Sequence, residues 1–405
     1  MTHPKNISIQ DFSYHLPDDK IAVHPLPERD ASKILIYKAG NIITDIYKNI
    51  ADYLPEKSLL VFNNTKVINA RIKFIKPTGG VIEIFCLEPL EEYTIAMAKK
   101  AKVCWKCMIG GAGKWKEGVL EKQLKINNEK LSIQARLIKK LPDAYVVEFL
   151  WDPAGYTFAE VIEVAGNIPL PPYIKRHADT GDTQRYQTTY AMHPGSVAAP
   201  TAGLHFTNTI FNQLENKKIK KDFITLHVGA GTFKPVKADK MEQHEMNAEW
   251  IDVSYTNIEN IISSLDNTVV AVGTTSLRTL ETLYWLGVKV LLDPCLKELQ
   301  LTQWEAYEPE FVDKNILNKD ALNALLQWLK KNNLTRIFTQ TQIIIAPGYI
   351  FKIANAIITN FHQPHSTLLL LVAAATGGNW RNIYDYALQN DFRFLSYGDG
   401  SLIFI

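Results

Sequence analysis

The sequence predicts a mixed α/β fold interrupted by a small all-β unit, and two observations carry that prediction. Between about residues 73 and 149, short runs rich in Val, Ile and Leu alternate with the turns PTGG (77–80), GGAG (110–113) and INNEK (126–130), the rhythm of an all-β unit. On either side, longer helical runs separate isolated strands such as 223–228 and 269–272, which is the mixed α/β pattern. The expected architecture is a discontinuous mixed α/β domain, residues 1–70 and 152–405, with a β domain, residues 71–151, inserted into it. A chain of 405 residues divides into two or three domains and buries a full-sized core, which suits an enzyme.

The segment PGSVAAPTAGLHFT (194–207) packs small residues, hydroxyls and a histidine together with almost nothing to bury. Gly195, Ala198, Ala199, Ala202 and Gly203 let backbone approach a ligand, Ser196, Thr201 and His205 supply hydrogen bonds or proton transfer, and Pro200 stiffens the loop. Ile210, Phe211 and Leu214 then recur at helical spacing behind Thr207 or Asn208 as N-cap, so the loop leads into a helix N-terminus suited to an anion. In GTTSLRT (273–279), Thr274, Thr275 and Ser276 follow a glycine at the end of the apolar run 269–272, where ligands of α/β sheets bind. Arg278, one helical turn beyond Thr274, can hold a carboxylate or phosphate in bidentate fashion. Between 286 and 340, Asp320 can cap a helix running to about Lys331, whose stripe of Leu322, Leu325, Leu326 and Leu329 is expected to pack on the body of the protein.

Charge is nearly balanced at +2, but its distribution is uneven. Residues 95–140 hold eleven Lys and one Arg against three Glu, a run that is either solvated surface or a phosphate-binding face. Lys99, Lys100, Lys102, Lys114 and Lys116 are its nucleic-acid candidates. No signal-like apolar run opens the chain, and the longest apolar run, 368–375, is too short to span a bilayer, so a cytoplasmic location without membrane contact is expected. Four cysteines are too few for a disulfide framework.

Three common sites fail on spacing. GGAGKW (110–115) lacks the P-loop's first glycine and its Ser or Thr, and in VGAGTFK (228–234) Lys234 occupies the third glycine position of a dinucleotide fingerprint. HEMNA (244–248) has Ala248 where a zincin needs its second histidine. Cys104 with Cys107, and His362 with His365, are each half a metal site at most, so no metal is expected. What remains is a set of polar residues: His205 and His227, beside Gly203 and Gly229, as proton-transfer candidates, with Gly231 further opening the backbone, and Glu245, Glu249 and Asp399 as acidic candidates. Any lone histidine among them is more often a structural one.

Several long motifs occur in order: FSYHLPDDKIA (12–22), LLVFNNTKVINARI (59–72), PLPPYIKR (169–176), the 194–207 segment, TLHVGAGTFKPV (225–236), MEQHEMNAEW (241–250), AVGTTSLRTLE (271–281), PGYIFKIANAIITNFHQPHSTLLLLVAA (347–374) and FRFLSYGD (392–399). Together they resemble the S-adenosylmethionine:tRNA ribosyltransferase-isomerase family of queuosine biosynthesis over nearly the whole chain. The resemblance implies a small β-barrel beside a larger α/β domain. It also implies transfer of the ribosyl part of S-adenosylmethionine to 7-aminomethyl-7-deazaguanine at the tRNA wobble position, giving epoxyqueuosine, adenine and methionine. S-adenosylmethionine would then be a co-substrate, tRNA the partner, and no true cofactor would be needed. In that reading a histidine removes a proton from the methylene beside the sulfonium, Arg278 takes the methionine carboxylate, and Phe206, Tyr349, Phe361 and Tyr397 are the aromatics that can stack adenine or an anticodon base. Asn64 stands where that family commonly has Asp, Asn69 where it has Pro, and Gly400 where it has Ala. Two rivals remain at this level: a tRNA-binding protein that keeps the fold without catalysis, and a methyltransferase, which lacks its glycine-rich loop.

Overall fold

The computed structural model describes residues 3–115, 118–229, 236 and 238–405. Their main sheet has nine strands in the order Arg336–Thr341, Glu249–Ser254, Lys220–His227, Leu59–Asn63, Val269–Val272, Ala356–Asn360, Gly400–Phe404, Lys33–Lys38 and Asn41–Ile46. The four from Lys220–His227 to Ala356–Asn360 are mutually parallel, and the flanking pairings on both sides are antiparallel apart from Lys33–Lys38 alongside Gly400–Phe404. LLVFN, VVAV and AIITN are buried along their whole length, as strands covered on both faces must be. Alternation sorts their side chains: Leu59, Val61, Val269, Ala271 and Ile357 join one core, whereas Leu60, Phe62, Val270, Val272 and Ile358 join the other.

The first core is closed by the helix Thr274–Leu292, against which the helix Asn318–Lys331 packs, so the extra segment lies on the body of the protein. Their crossing is close because Gly287 meets the Ala321 carbonyl, where any Cβ would collide with backbone. Asp320 sits in the first turn of that second helix, where its charge faces the positive end, and Leu317 occupies the cap position instead. The second core is closed by the helix Asn208–Asn216, whose N-cap is Thr207 with its Oγ1 accepting from the Ile210 amide at 3.4 Å.

A second, seven-stranded antiparallel sheet runs in the order Gly166–Asn167, Arg71–Ile75, Val81–Pro89, Lys102–Gly110, Tyr145–Asp152, Glu129–Lys140, Leu120–Ile126. It curls into a half-barrel over a core that includes Phe74, Trp105, Ile133 and Phe149. Among the described residues no ladder closes it into a full barrel. The helix Phe158–Ala165, started by a capping box of Thr157 and Glu160, packs Phe158, Val161 and Ile162 into that core. Cys104 and Cys107 lie on the Lys102–Gly110 strand as free thiols. No helix of the described residues is long and apolar enough to cross a membrane.

Candidate active site

Three chain segments converge at the carboxyl ends of the parallel strands. Val269–Val272 leads into Gly273, whose φ of 93° starts the Thr274–Leu292 helix without a side-chain cap, so its first amides have no intrahelical partner. Ala356–Asn360 ends on an asparagine, and the small-residue loop 198–202 runs across both. Between them lies a cleft walled by Thr201, Gly273, Thr275, Asn360, Phe361 and Tyr173 among others. Thr201 donates to the Asn360 side-chain carbonyl at 2.6 Å, fixing which way that amide points. The cleft thus combines aromatic walls, one oriented carboxamide and an open helix N-terminus.

Leu368 belongs both to this cleft and to a wider groove. One wall of the groove comes from the half-barrel side, through Glu88, Lys106 and Asp143, and the other from the α/β part, through Glu245, Glu249 at the start of its strand and Arg278 on the Thr274–Leu292 helix. Val228 lines the cleft and Gly229 the groove, whereas His227, the residue before them, lines neither.

His227 ends the Lys220–His227 strand, and its ring stacks on Tyr93 of the half-barrel's short helix Tyr93–Ala98, with centroids 4.9 Å apart. Gly195 makes that stack possible: a Cβ there would lie 2.6 Å from Nδ1 of His227 and 3.0 Å from the Tyr93 ring. Val228 donates its amide to Ser196 Oγ at 2.8 Å, and Ser196 lies 2.7 Å from Thr65 Oγ1. Thr65 Oγ1 is in turn 3.3 Å from His227 Nδ1 and 3.4 Å from the His193 carbonyl. Every donor is used if Ser196 and the Nδ1–H donate to Thr65 and Thr65 donates to that carbonyl, which leaves Nε2 with its lone pair. Burial first, and then the neighbouring His193, hold the imidazole down to about 4, so it is neutral at pH 7.

Other candidates are placed elsewhere. His205 is 5% exposed, stacks on Tyr47 at 4.2 Å and has Nδ1 3.2 Å from the Arg29 carbonyl, in a separate small pocket. Burial, outweighing that carbonyl, and then the charges of Arg393, Arg29 and Arg185 push it to about 4. Arg278, expected to face an anion, instead ion-pairs with Glu249, both buried, while its Nε donates to the Ile343 carbonyl at 3.1 Å. Of the acidic candidates, Glu249 is buried beside the guanidinium, whereas Glu245 is exposed in the groove.

Tyr349 is a core residue that donates to the wholly buried Glu281 at 2.8 Å, a carboxylate also held by the Lys352, Ile353 and Ala354 amides. Phe206 lies edge-on to Phe62 in the core, Gly203 abuts Tyr190, and Ser276 is fully buried. Tyr397 donates to Asp182 at 2.7 Å, and Asp182 receives both arms of Arg176 at 2.6 and 2.8 Å. Asp399 accepts the Lys33 and Arg393 amides at 2.9 and 2.7 Å, anchoring the turn that precedes Gly400–Phe404. Of the aromatic candidates Phe361 alone lines the cleft, together with Thr201, Ala202, Thr274 and Thr275. Lys99, Lys100, Lys102 and Lys114 are exposed on the half-barrel side, Lys99 paired with Glu91 at 2.7 Å. Gly231 and Lys116 lie outside the described residues.

The sequence reading did not single out Asn360, Tyr173, Tyr186 or Tyr93 as site residues. Asn360 carries the same signal as Thr274, a polar residue closing an apolar strand. The tyrosines carry none, since their place depends on packing between distant segments. His362 also lines the cleft, with Nε2 2.8 Å from Thr359 Oγ1 and burial driving the ring down to about 3. Asn64, at the position of the family's Asp, is buried and accepts from Thr225 at 2.7 Å. Gly400 leaves room for the Tyr47 hydroxyl, which a Cβ would overlap. Among the described residues no group of three His, Cys, Asp or Glu is placed to hold a metal ion.

Compared with solved structures, the chain is similar to an S-adenosylmethionine tRNA ribosyltransferase from Thermotoga maritima, at 26% identity and a TM-score of 0.46, covering 97% of this chain and 99% of that one. A family model described as queuosine biosynthesis protein matches residues 9–403. With nearly the whole chain matched, this protein belongs to the queuosine biosynthesis protein family.

Proposed function

We propose that this protein transfers and isomerises the ribosyl moiety of S-adenosylmethionine onto 7-aminomethyl-7-deazaguanine at the wobble position of tRNA, releasing adenine and methionine. The observation that carries this reading is the pair of adjoining cavities at the strand ends, in a chain of the queuosine biosynthesis family. The smaller cleft suits the nucleoside: Tyr173, Tyr186 and Phe361 offer aromatic surface, and the Asn360 carboxamide can read a base edge. Its helix N-terminus at Gly273–Thr275 suits the methionine carboxylate, the role that Arg278 gives up to Glu249. The wider groove, bounded by the half-barrel, suits the tRNA base.

His227 serves as the base that removes a proton from the methylene beside the sulfonium. Its neutral form is fully populated at pH 7, and the sulfonium supplies the acidity that a weak base requires. Mixing the protein with S-adenosylmethionine and tRNA bearing the aminomethyl base should release adenine. Formation of S-adenosylhomocysteine would instead mark a methyltransferase, and no product a binding protein. In the same assay His227→Gln should slow single-turnover adenine release by about 10²-fold or more, whereas His205→Gln should stay within about tenfold. Equal losses in two folded variants would remove His227 from this role.

The basic half-barrel is assigned to the tRNA backbone. Replacing Lys99, Lys100 and Lys102 together by Gln should weaken tRNA binding and flatten the slope of log K against log salt by about 2 to 3. An unchanged slope would make these lysines solvated surface.

A further inference from the structure

A second pocket adjoins the cleft through Ser396, which lines both. It is small and partly open and is walled by Arg29, Arg185, Leu204, His205 and Tyr397; Arg393 does not line it but lies close enough to His205 for its charge to disfavour the imidazolium. We propose that this arginine pocket binds a phosphate of the tRNA backbone, anchoring the substrate alongside the cleft. The inference rests on the tRNA reading above.

The charge balance is what demands an anion. Arg29 donates to the Leu204 and Gln184 carbonyls at 3.0 and 2.7 Å, and Arg185 to those of Pro27 and Leu26 at 2.9 and 2.6 Å. Among the described residues neither is in an ion pair. Arg393 is the third cation, with Nη2 3.7 Å from Asp399, a carboxylate already engaged by two backbone amides. Nε of Arg185 and Nη2 of Arg393 are both buried with no hydrogen-bond partner among the described residues. Buried N–H groups of cations are costly to leave unused, and one of these, Nε of Arg185, belongs to a residue that lines the pocket.

The remaining groups do not neutralise the cluster. The Tyr397 hydroxyl donates to Asp182, Asp182 is claimed by Arg176, and Glu28 is exposed at the rim. His205 is neutral, because burial and the three guanidiniums disfavour its charged form. Arg29 is itself lowered, by burial and then by Arg185, the signature of like charges held together. An oxyanion relieves this repulsion and meets arginine geometry in a way that no apolar ligand does. Backbone phosphates fix the register of a nucleic acid, which is what a base entering the neighbouring cavities needs.

The test measures binding of tRNA to the full chain across a salt series. Arg185→Gln and Arg393→Gln should each weaken binding about tenfold and reduce the salt slope by about 1, and Arg185→Lys should retain most of that slope. Arg393 makes a 3.4 Å side-chain bond to the His24 carbonyl and a long 3.7 Å pair with Asp399, whose carboxylate keeps two backbone amides, so its variant remains informative if Arg185→Gln fails to fold. In the wild-type protein, tRNA should protect Arg185 and Arg393 from phenylglyoxal, read by peptide mass mapping. Protection by inorganic phosphate but not by tRNA would assign the pocket to free phosphate and overturn the proposal, as would an unchanged slope in folded variants. Failure of wild type to bind tRNA at any salt would overturn the function reading as well, whereas tRNA binding with neither arginine protected overturns this pocket alone.

Discussion

Arg278→Ala should cost about 3 to 5 kcal/mol of folding stability, more than any loss it causes at a substrate site. The guanidinium and the Glu249 carboxylate are both buried, at 7% and 5% exposure, so removing the cation takes away the main neutralisation of a charge held out of water. It also frees the Ile343 carbonyl that accepts from Arg278 Nε. A surface arginine holding a ligand would behave differently, losing affinity while the fold persisted. The double variant Glu249→Gln with Arg278→Met should recover part of the loss, because neither partner then carries a charge. Urea unfolding of the three proteins measures this directly. A loss below about 1 kcal/mol for Arg278→Ala, together with weakened S-adenosylmethionine saturation, would return the residue to substrate binding.

Acid should destabilise this protein well before its carboxylates are titrated. His205 and His227 are held at about 4 and His362 at about 3, all below the ordinary value of 6.5. The folded chain therefore binds these three protons less tightly than the unfolded chain. Their neutral forms contribute full stability above pH 6.5, and that contribution is lost as pH falls from 6.5 toward 4, where the unfolded state holds more protons. Near pH 5 the three together give a slope of about 4 kcal/mol per pH unit, since each proton contributes about 1.4. Asp222, Glu281 and Asp399 act in the opposite sense: burial raises each, outweighing their hydrogen bonds, so protonation in the folded state offsets part of the loss toward the acid end. Substituting a single histidine isolates its share. His362→Gln should flatten the dependence of urea stability on pH between 6 and 5 by about 1.4 kcal/mol per unit. A slope equal to wild type would mean that His362 is protonated in the folded protein.

The sequence by itself determined the strands that build the site and the loops that cap them. VVAV followed by GTTS, and the small residues of 194–207, are legible because apolar runs and their polar ends are local features, and the structure keeps both at the cleft. The inserted all-β unit was legible for the same reason, in strands separated by glycine and asparagine turns. Tertiary structure alone decided the partners. Arg278 and Tyr349 read as ligand-facing residues until the fold brought Glu249 and Glu281 to them, from 29 and 68 residues away. His205 and His227 looked equivalent beside their glycines, yet one was packed under Tyr47 and the other on Tyr93 of the half-barrel, just before the residues that line the cleft and the groove. Periodicity reports which face of an element is apolar, whereas the charge or ring that meets a polar residue on that face arrives along another part of the chain. Only the packing of the sheets fixes that meeting.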